Sequence, residues 1–294
     1  MKKLFIFLLL FTAENLYAQE AATPDDLRSL GISVDTIGRY IFADTAFIRS
    51  SPDTRKTATD TLYAGDNIQV IAITDNMLTI RGLKGPWLKI NYIRDSIAHI
   101  GYIWAGMVSC QPLRRGDTKF VYGIERKKDS TWYNDFKQKV TQSRFVVKLK
   151  TVKQRQIISQ ASFSVFNDES ANFSYGKVMS GMGLTGVQHV IALNFTGDAC
   201  SIPSNYYYFA FTADSMLVKF PERTELSEAG ISYHNENFIF PNEKNGKPDM
   251  ILWVMTNEDF TDKKDKNGKY IHIITEKQEK QYSWNYENKQ VSVK

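Results

Sequence analysis

The sequence predicts an all-β protein in which a small barrel is followed by a larger antiparallel β-domain. Three observations carry that expectation. The 294 residues are enough for two domains of ordinary size. The 18 Phe, 15 Tyr and 5 Trp, in a chain that is 43% hydrophobic, favour pleated, half-buried surfaces over helices. Short alternating runs bounded by turn residues recur from residue 40 to the C-terminus, and only "STWYNDFKQKV" (130–140) reads as a short helix.

Residues 1–18, "MKKLFIFLLLFTAENLYA", have the layout of a secretory signal peptide. Lys2 and Lys3 precede an apolar run from Leu4 to Phe11 that is too short to span a bilayer, and Ala18 stands at the expected cleavage point. The expected mature protein is exported, periplasmic or secreted, and no later run of about eighteen apolar residues predicts a membrane span. Lys2, Lys3 and Glu14 leave with the leader, which takes the formal charge from +5 to +4. A charge so mild and evenly mixed gives no reason to expect nucleic acid as a partner. The basic cluster "KLKTVKQRQ" (148–156) reads as the solvated face of a strand.

A polar lead-in occupies residues 19–39 and is expected to pack on the first domain. Residues 40–110 then give at least five short strands. "TAFIRS" comes before a Pro- and Thr-containing loop, and "NIQVIAIT" turns at Asp75-Asn76 into "MLTIRG". "KGPWLKINYI" and "AHIGYIWAGMV" complete a small barrel. Residues 111–117, with Pro112 and Gly116 and no periodicity, read as a linker. Over 118–294, "FVVKLK" alternates, and "VIALNF" places Ile191, Leu193 and Phe195 on one face. "YYYFAFTADSMLVKF" reads as a hairpin turning at Ala213-Asp214-Ser215, and "MILWVM" as a strand buried on both faces. Asn245-Gly246 and Asn267-Gly268 are hairpin signals. An echo between "YYFAFTADSMLVKF" and "YSWNYENKQVSVK" leaves the second domain either sandwich or propeller-like.

The first of these regions resembles the bacterial SH3-like domain family. "AFIRSSPDT" matches its opening motif through Arg49, Ser50 and Pro52. "TLYAGDNIQVI", "GPWLKI" and "IGYIWAGMVS" match its next three strands in order. Ser51 replaces the usual glycine, Tyr102 replaces the usual tryptophan, and "NYIRDSIAHI" is an insertion. The resemblance implies a barrel that binds cell-wall peptide or an envelope protein. Trp87, Tyr92, Tyr102 and Trp104 are its candidate contacts, because Tyr and Trp join a large rigid surface to a polar handle. Trp87 and Trp104 also match structural positions of the family, which makes Tyr92 and Tyr102 the expected exposed pair.

Such domains often accompany cell-wall endopeptidases that use a cysteine and a histidine, which draws attention to Cys200. A thiolate nucleophile wants a helix N-terminus and a nearby base. "DACSIPSNYYYF" offers a turn and then a strand, and His234 in "SYHNENF" lacks that family's setting. Cys110 and Cys200 are instead expected either to form a disulfide closing a loop of about ninety residues or to remain two separate buried thiols. "FPNEKNGKPDMILWV" resembles the calcium loops of FG-GAP-type propeller repeats through Glu243, Asn245 and Asp249. Pro241 stands at its first ligand position, and a hard cation wants six or more oxygens. Asp265 and Asn267 have EF-hand spacing behind an unsuitable Lys263. Both loops read as hairpin loops, and neither a metal nor a cofactor is expected. The expected function is non-catalytic binding. The alternatives are a cell-wall hydrolase with catalysis in the C-terminal domain, and a purely structural envelope protein.

Overall fold

The computed structural model describes residues 26–27, 37–228 and 230–294. The leader expected at 1–18, and most of the lead-in, lie outside the described residues. The protein is all-β, with antiparallel sheets that include a half-barrel. Among the described residues no helix is long and apolar enough to cross a membrane.

The first sheet contains β1 (Arg39–Tyr40), β2 (Thr45–Arg49), β3 (Ala58–Tyr63), β4 (Asn67–Ile80), β5 (Leu83–Arg94) and β6 (Ile97–Trp104), in the order β1-β4-β5-β6-β2-β3. The expected turn at Asp75-Asn76 is corrected: β4 runs through it, with an irregularity in its register between Ile73 and Met77. The chain reverses instead at Arg81 (φ 53°) and Gly82 (φ 78°), whose consecutive positive angles suit a two-residue hairpin turn. Asp95 and Ser96 (φ 50° and 65°) make the next reversal in the same way.

The second sheet contains β7 (Leu113–Arg115), β8 (Thr118–Tyr133), β9 (Lys139–Lys153) and β10 (Gln156–Phe166), in the order β10-β9-β8-β7. The stretch expected to be a linker therefore holds a short strand. The helix expected at 130–140 is also corrected, because those residues form the end of β8, a tight turn and the start of β9. Ser-Thr-Trp-Tyr suits a pleated strand, and Asn134 supplies the turn.

The third sheet contains β11 (Phe173–Ser180), β12 (Val187–Thr196), β13 (Ser204–Thr212), β14 (Leu217–Lys219), β15 (Arg223–Glu228), β16 (Ser232–Ile239), β17 (Met250–Lys264), β18 (Tyr270–Asn285) and β19 (Gln290–Val293). The hairpin at 213–215 and the turn at Asn267-Gly268 form where the sequence places them. Asn245-Gly246 lies in a longer loop between β16 and β17.

One hydrophobic cluster runs through all three sheets, joining Ile48, Leu88 and Ile103 to Phe120, Tyr122 and Leu149 and then to Ile191, Leu193 and Phe195. Alternation gives β12 and β13 a second apolar face, where Val190, Tyr208 and Ala210 pack with Phe240, Ile251 and Trp284. Polar ties reinforce the junction of the first two sheets. Lys150 Nζ donates to Phe42 O at 2.6 Å and to Asp44 Oδ1 at 2.7 Å. Arg155 reaches Asp66 with two hydrogen bonds of 2.9 and 2.8 Å. The basic cluster at 148–156 is thus not a freely solvated face, since Lys150 is buried and Lys148 pairs with Glu125.

Candidate functional site

A groove of about 640 Å³ lies beside the loop that joins β12 to β13. That loop, residues 197–203, turns through Ser201 (φ 65°), and the Ser201 amide donates to Ser227 O at 2.9 Å. Gly197 is required there, because a Cβ would stand 2.8 Å from Glu169 O and 2.5 Å from Ile202 Cγ2. The opposite wall comes from β15, β16 and β17. Their pairing brings Ser227, Tyr233 and Glu258 into one row and Leu226, His234 and Asn257 into the next.

Asp198, Glu225 and Glu258 line the groove, and no lysine or arginine does. Glu225 is held by the Arg223 guanidinium and accepts from Tyr206 Oη at 2.8 Å. Burial first, and then that carboxylate, push the Tyr206 hydroxyl up to about 12. Glu258 Oε2 lies 2.7 Å from His272 Nδ1. Asn257 Nδ2 donates to Glu276 Oε2 at 2.7 Å, which turns its Oδ1 towards His234 Nδ1, also at 2.7 Å. On its other side His234 Nε2 lies 3.3 Å from Glu236 Oε1.

Cys200 is exposed on the rim of this groove, and His234 lines the same groove. Among the described residues no hydrogen bond joins them. The two cysteines are both free, so the disulfide is corrected, and so is the pair of buried thiols. Cys110 sits in the shared core, where burial pushes its thiol up to about 11, while Cys200 sits in a surface loop.

A second cleft, of about 520 Å³, lies on the first sheet against the β9–β10 turn. Asp66, Asp95, Arg94 and Arg155 line it, and its charges are largely matched: Arg155 is held by Asp66 and Arg94 by Asp60. Of the four expected aromatic contacts, Tyr92 alone lines this cleft. Trp87 and Trp104 are buried, with Trp104 Nε1 donating to Leu78 O at 3.0 Å. Tyr92, expected to be exposed, is also buried and stacks on His99 with centroids 5.5 Å apart. Tyr102 is half-buried beside Lys89 and Arg49. Alternation accounts for Tyr92, which shares the buried face of β5 with Leu88 and Ile90.

The calcium-like loop uses its side chains internally. Glu243 Oε2 accepts the Phe240 amide at 2.7 Å, and Asp249 accepts the Thr185 amide and hydroxyl at 2.8 and 2.9 Å. Asn245 occupies a positive-φ turn position (69°). Asp265 Oδ1 likewise accepts the Asn267 and Lys269 amides. The groove carboxylates left little local signal in the sequence, since Glu225 and Glu258 meet only through the β15–β16–β17 ladder. Set against known protein families, curated proteins and solved structures, the chain matches none.

Proposed function

We propose that this is an exported, non-catalytic binding protein of the cell envelope. Its N-terminal region (40–110) is an SH3-like barrel, and its ligand is a cell-wall peptide or a segment of an envelope protein. The order of motifs around Arg49, Gly65, Trp87 and Gly101 supports the barrel, and six antiparallel strands agree with it. The observation that carries the binding reading is the groove, walled by Asp198, Glu225 and Glu258 without a lining lysine or arginine. Such a wall favours a cationic ligand, so the peptide presents a free amine. Tyr233 adds flat apolar contact, and Asn235 and Asn237 add amide donors and acceptors. Ladder pairing of β15 with β13 stops at Glu225, and beyond it the Ser201 amide caps Ser227 O, so the groove offers its side chains rather than a strand edge to a ligand.

Co-sedimentation with insoluble peptidoglycan at low salt tests this. Wild-type protein is expected in the pellet, and the Asp198→Asn/Glu258→Gln variant in the supernatant. Wild-type protein that stays in the supernatant contradicts the cell-wall ligand.

One observation favours a second reading, a cysteine hydrolase: Cys200 and His234 line one groove, with Asn257 orienting the imidazole. Against it, His234 Nε2 faces Glu236 rather than the sulfur. Peptidoglycan digestion that Cys200→Ser abolishes would establish this reading in place of the first.

A further inference from the structure

The outer end of the β8–β9 hairpin is an arm with no described partner. Pairing of β9 with β10 ends at Arg144, but pairing of β8 with β9 continues from Asp129↔Ser143 to Tyr133↔Lys139. Beyond the sheet, the arm is therefore a two-stranded ribbon, which is marginally stable alone in water. Its tip carries Trp132, Tyr133 and Phe136 at 44%, 71% and 83% exposure. The turn is ordered rather than loose: Asn134 Oδ1 accepts the Phe136 amide at 3.0 Å and the Gln138 amide at 2.9 Å. Lys137 and Lys139 flank the tip beside the exposed Asp135, and neither lysine enters an ion pair among the described residues, while Lys128 stands at the root of the arm opposite Arg144. Asp129 is engaged by the Ser143 hydroxyl.

We propose that this tip docks on an anionic lipid bilayer surface. Trp132, Tyr133 and Phe136 seat in the headgroup layer, and Lys137 and Lys139 lie against lipid phosphates. A convex knob of aromatic rings offers no pocket to a rigid partner but sinks readily into a fluid interfacial layer, where Trp and Tyr concentrate. Lys137 and Lys139 outnumber Asp135 at the tip and complement a negative surface. This is attachment to a membrane surface and not a span, and it is independent of the groove.

Tryptophan fluorescence reads it directly, because Trp87, Trp104, Trp253 and Trp284 are all buried and Trp132 is the exposed one of the five. The full chain is mixed with phosphatidylglycerol–phosphatidylcholine vesicles and with phosphatidylcholine vesicles. Any contribution from the apolar residues 4–11 is common to all variants and cancels in their comparison. The expected result is sedimentation with the anionic vesicles and a blue shift in emission, both weakened by salt. Trp132→Ala/Phe136→Ser and Lys137→Glu/Lys139→Glu each lower vesicle affinity at least tenfold, with thermal unfolding unchanged because these side chains lie in solvent. Equal sedimentation of the aromatic variant, or binding without a blue shift, overturns the proposal. So does failure of the wild type to bind anionic vesicles at low salt, which would point to a protein as the occupant of the arm.

Discussion

The junction between the first two sheets and the groove beside residues 197–203 treat charge and sulfur in opposite ways. At the junction Asp66 meets Arg155, Lys150 meets Asp44, and Cys110 is sealed in the core. In the groove carboxylates line the wall without a lining cation, and Cys200 faces solvent. The difference is one of degree: Glu225 is held by Arg223 and Glu258 stands beside His272, while Asp198 on the exposed loop is the carboxylate most open to a ligand. A cleft whose arginines are already held by neighbouring aspartates has little charge to offer a partner, whatever its volume.

The cysteines give the largest contrast. In native protein a thiol reagent at neutral pH should titrate one sulfur, Cys200, and reach Cys110 only after unfolding. Two thiols reacting at equal rates in native protein would break the distinction.

Alkali should act on the junction next. Because the folded-state thiol of Cys110 is raised from an ordinary 9.0 to about 11, its contribution is present below pH 9 and lost as pH rises through about 11. The two units correspond to about 2–3 kcal/mol. Urea unfolding from pH 8 to 11 should show that decline, and Cys110→Ala should flatten it.

Removing Asp66 tests the polar tie. It accepts from Arg155 and also from the Tyr63 amide at 2.9 Å, so Asp66→Ala should cost about 1.5–3 kcal/mol in urea unfolding. Asp198→Asn, on the exposed loop, should stay within about 0.5 kcal/mol of wild type.

Much of this architecture is legible locally. "VIALNF" alternates, and the chain buries Ile191, Leu193 and Phe195 together as that alternation demands. Asn267-Gly268 turns where its backbone preference says it should. The errors have physical causes. Asp75-Asn76 is absorbed as an irregularity of a long strand, and the reversal passes to Arg81-Gly82 because tertiary pairing outranks local turn preference. Tyr92 follows the alternation of β5 and falls on the buried face with Leu88 and Ile90, which the family resemblance does not convey. The groove is the least legible part. Asp198, Glu225, His234 and Glu258 carry no spacing motif and meet only through a loop and three paired strands. His234 looked misplaced beside Cys200 when judged by neighbouring residues, yet the fold sets both in one groove.

The most direct test of the central claim is a calorimetric titration of a soluble peptidoglycan stem peptide bearing a free side-chain amine, alongside its acetylated form. Acetylation and Asp198→Asn/Glu258→Gln should each weaken binding at least tenfold, about 1.4 kcal/mol, while Arg94→Ala/Arg155→Ala at the junction cleft should leave it unchanged. Equal affinity for the acetylated peptide, or loss of binding in the arginine variant instead, would contradict the claim.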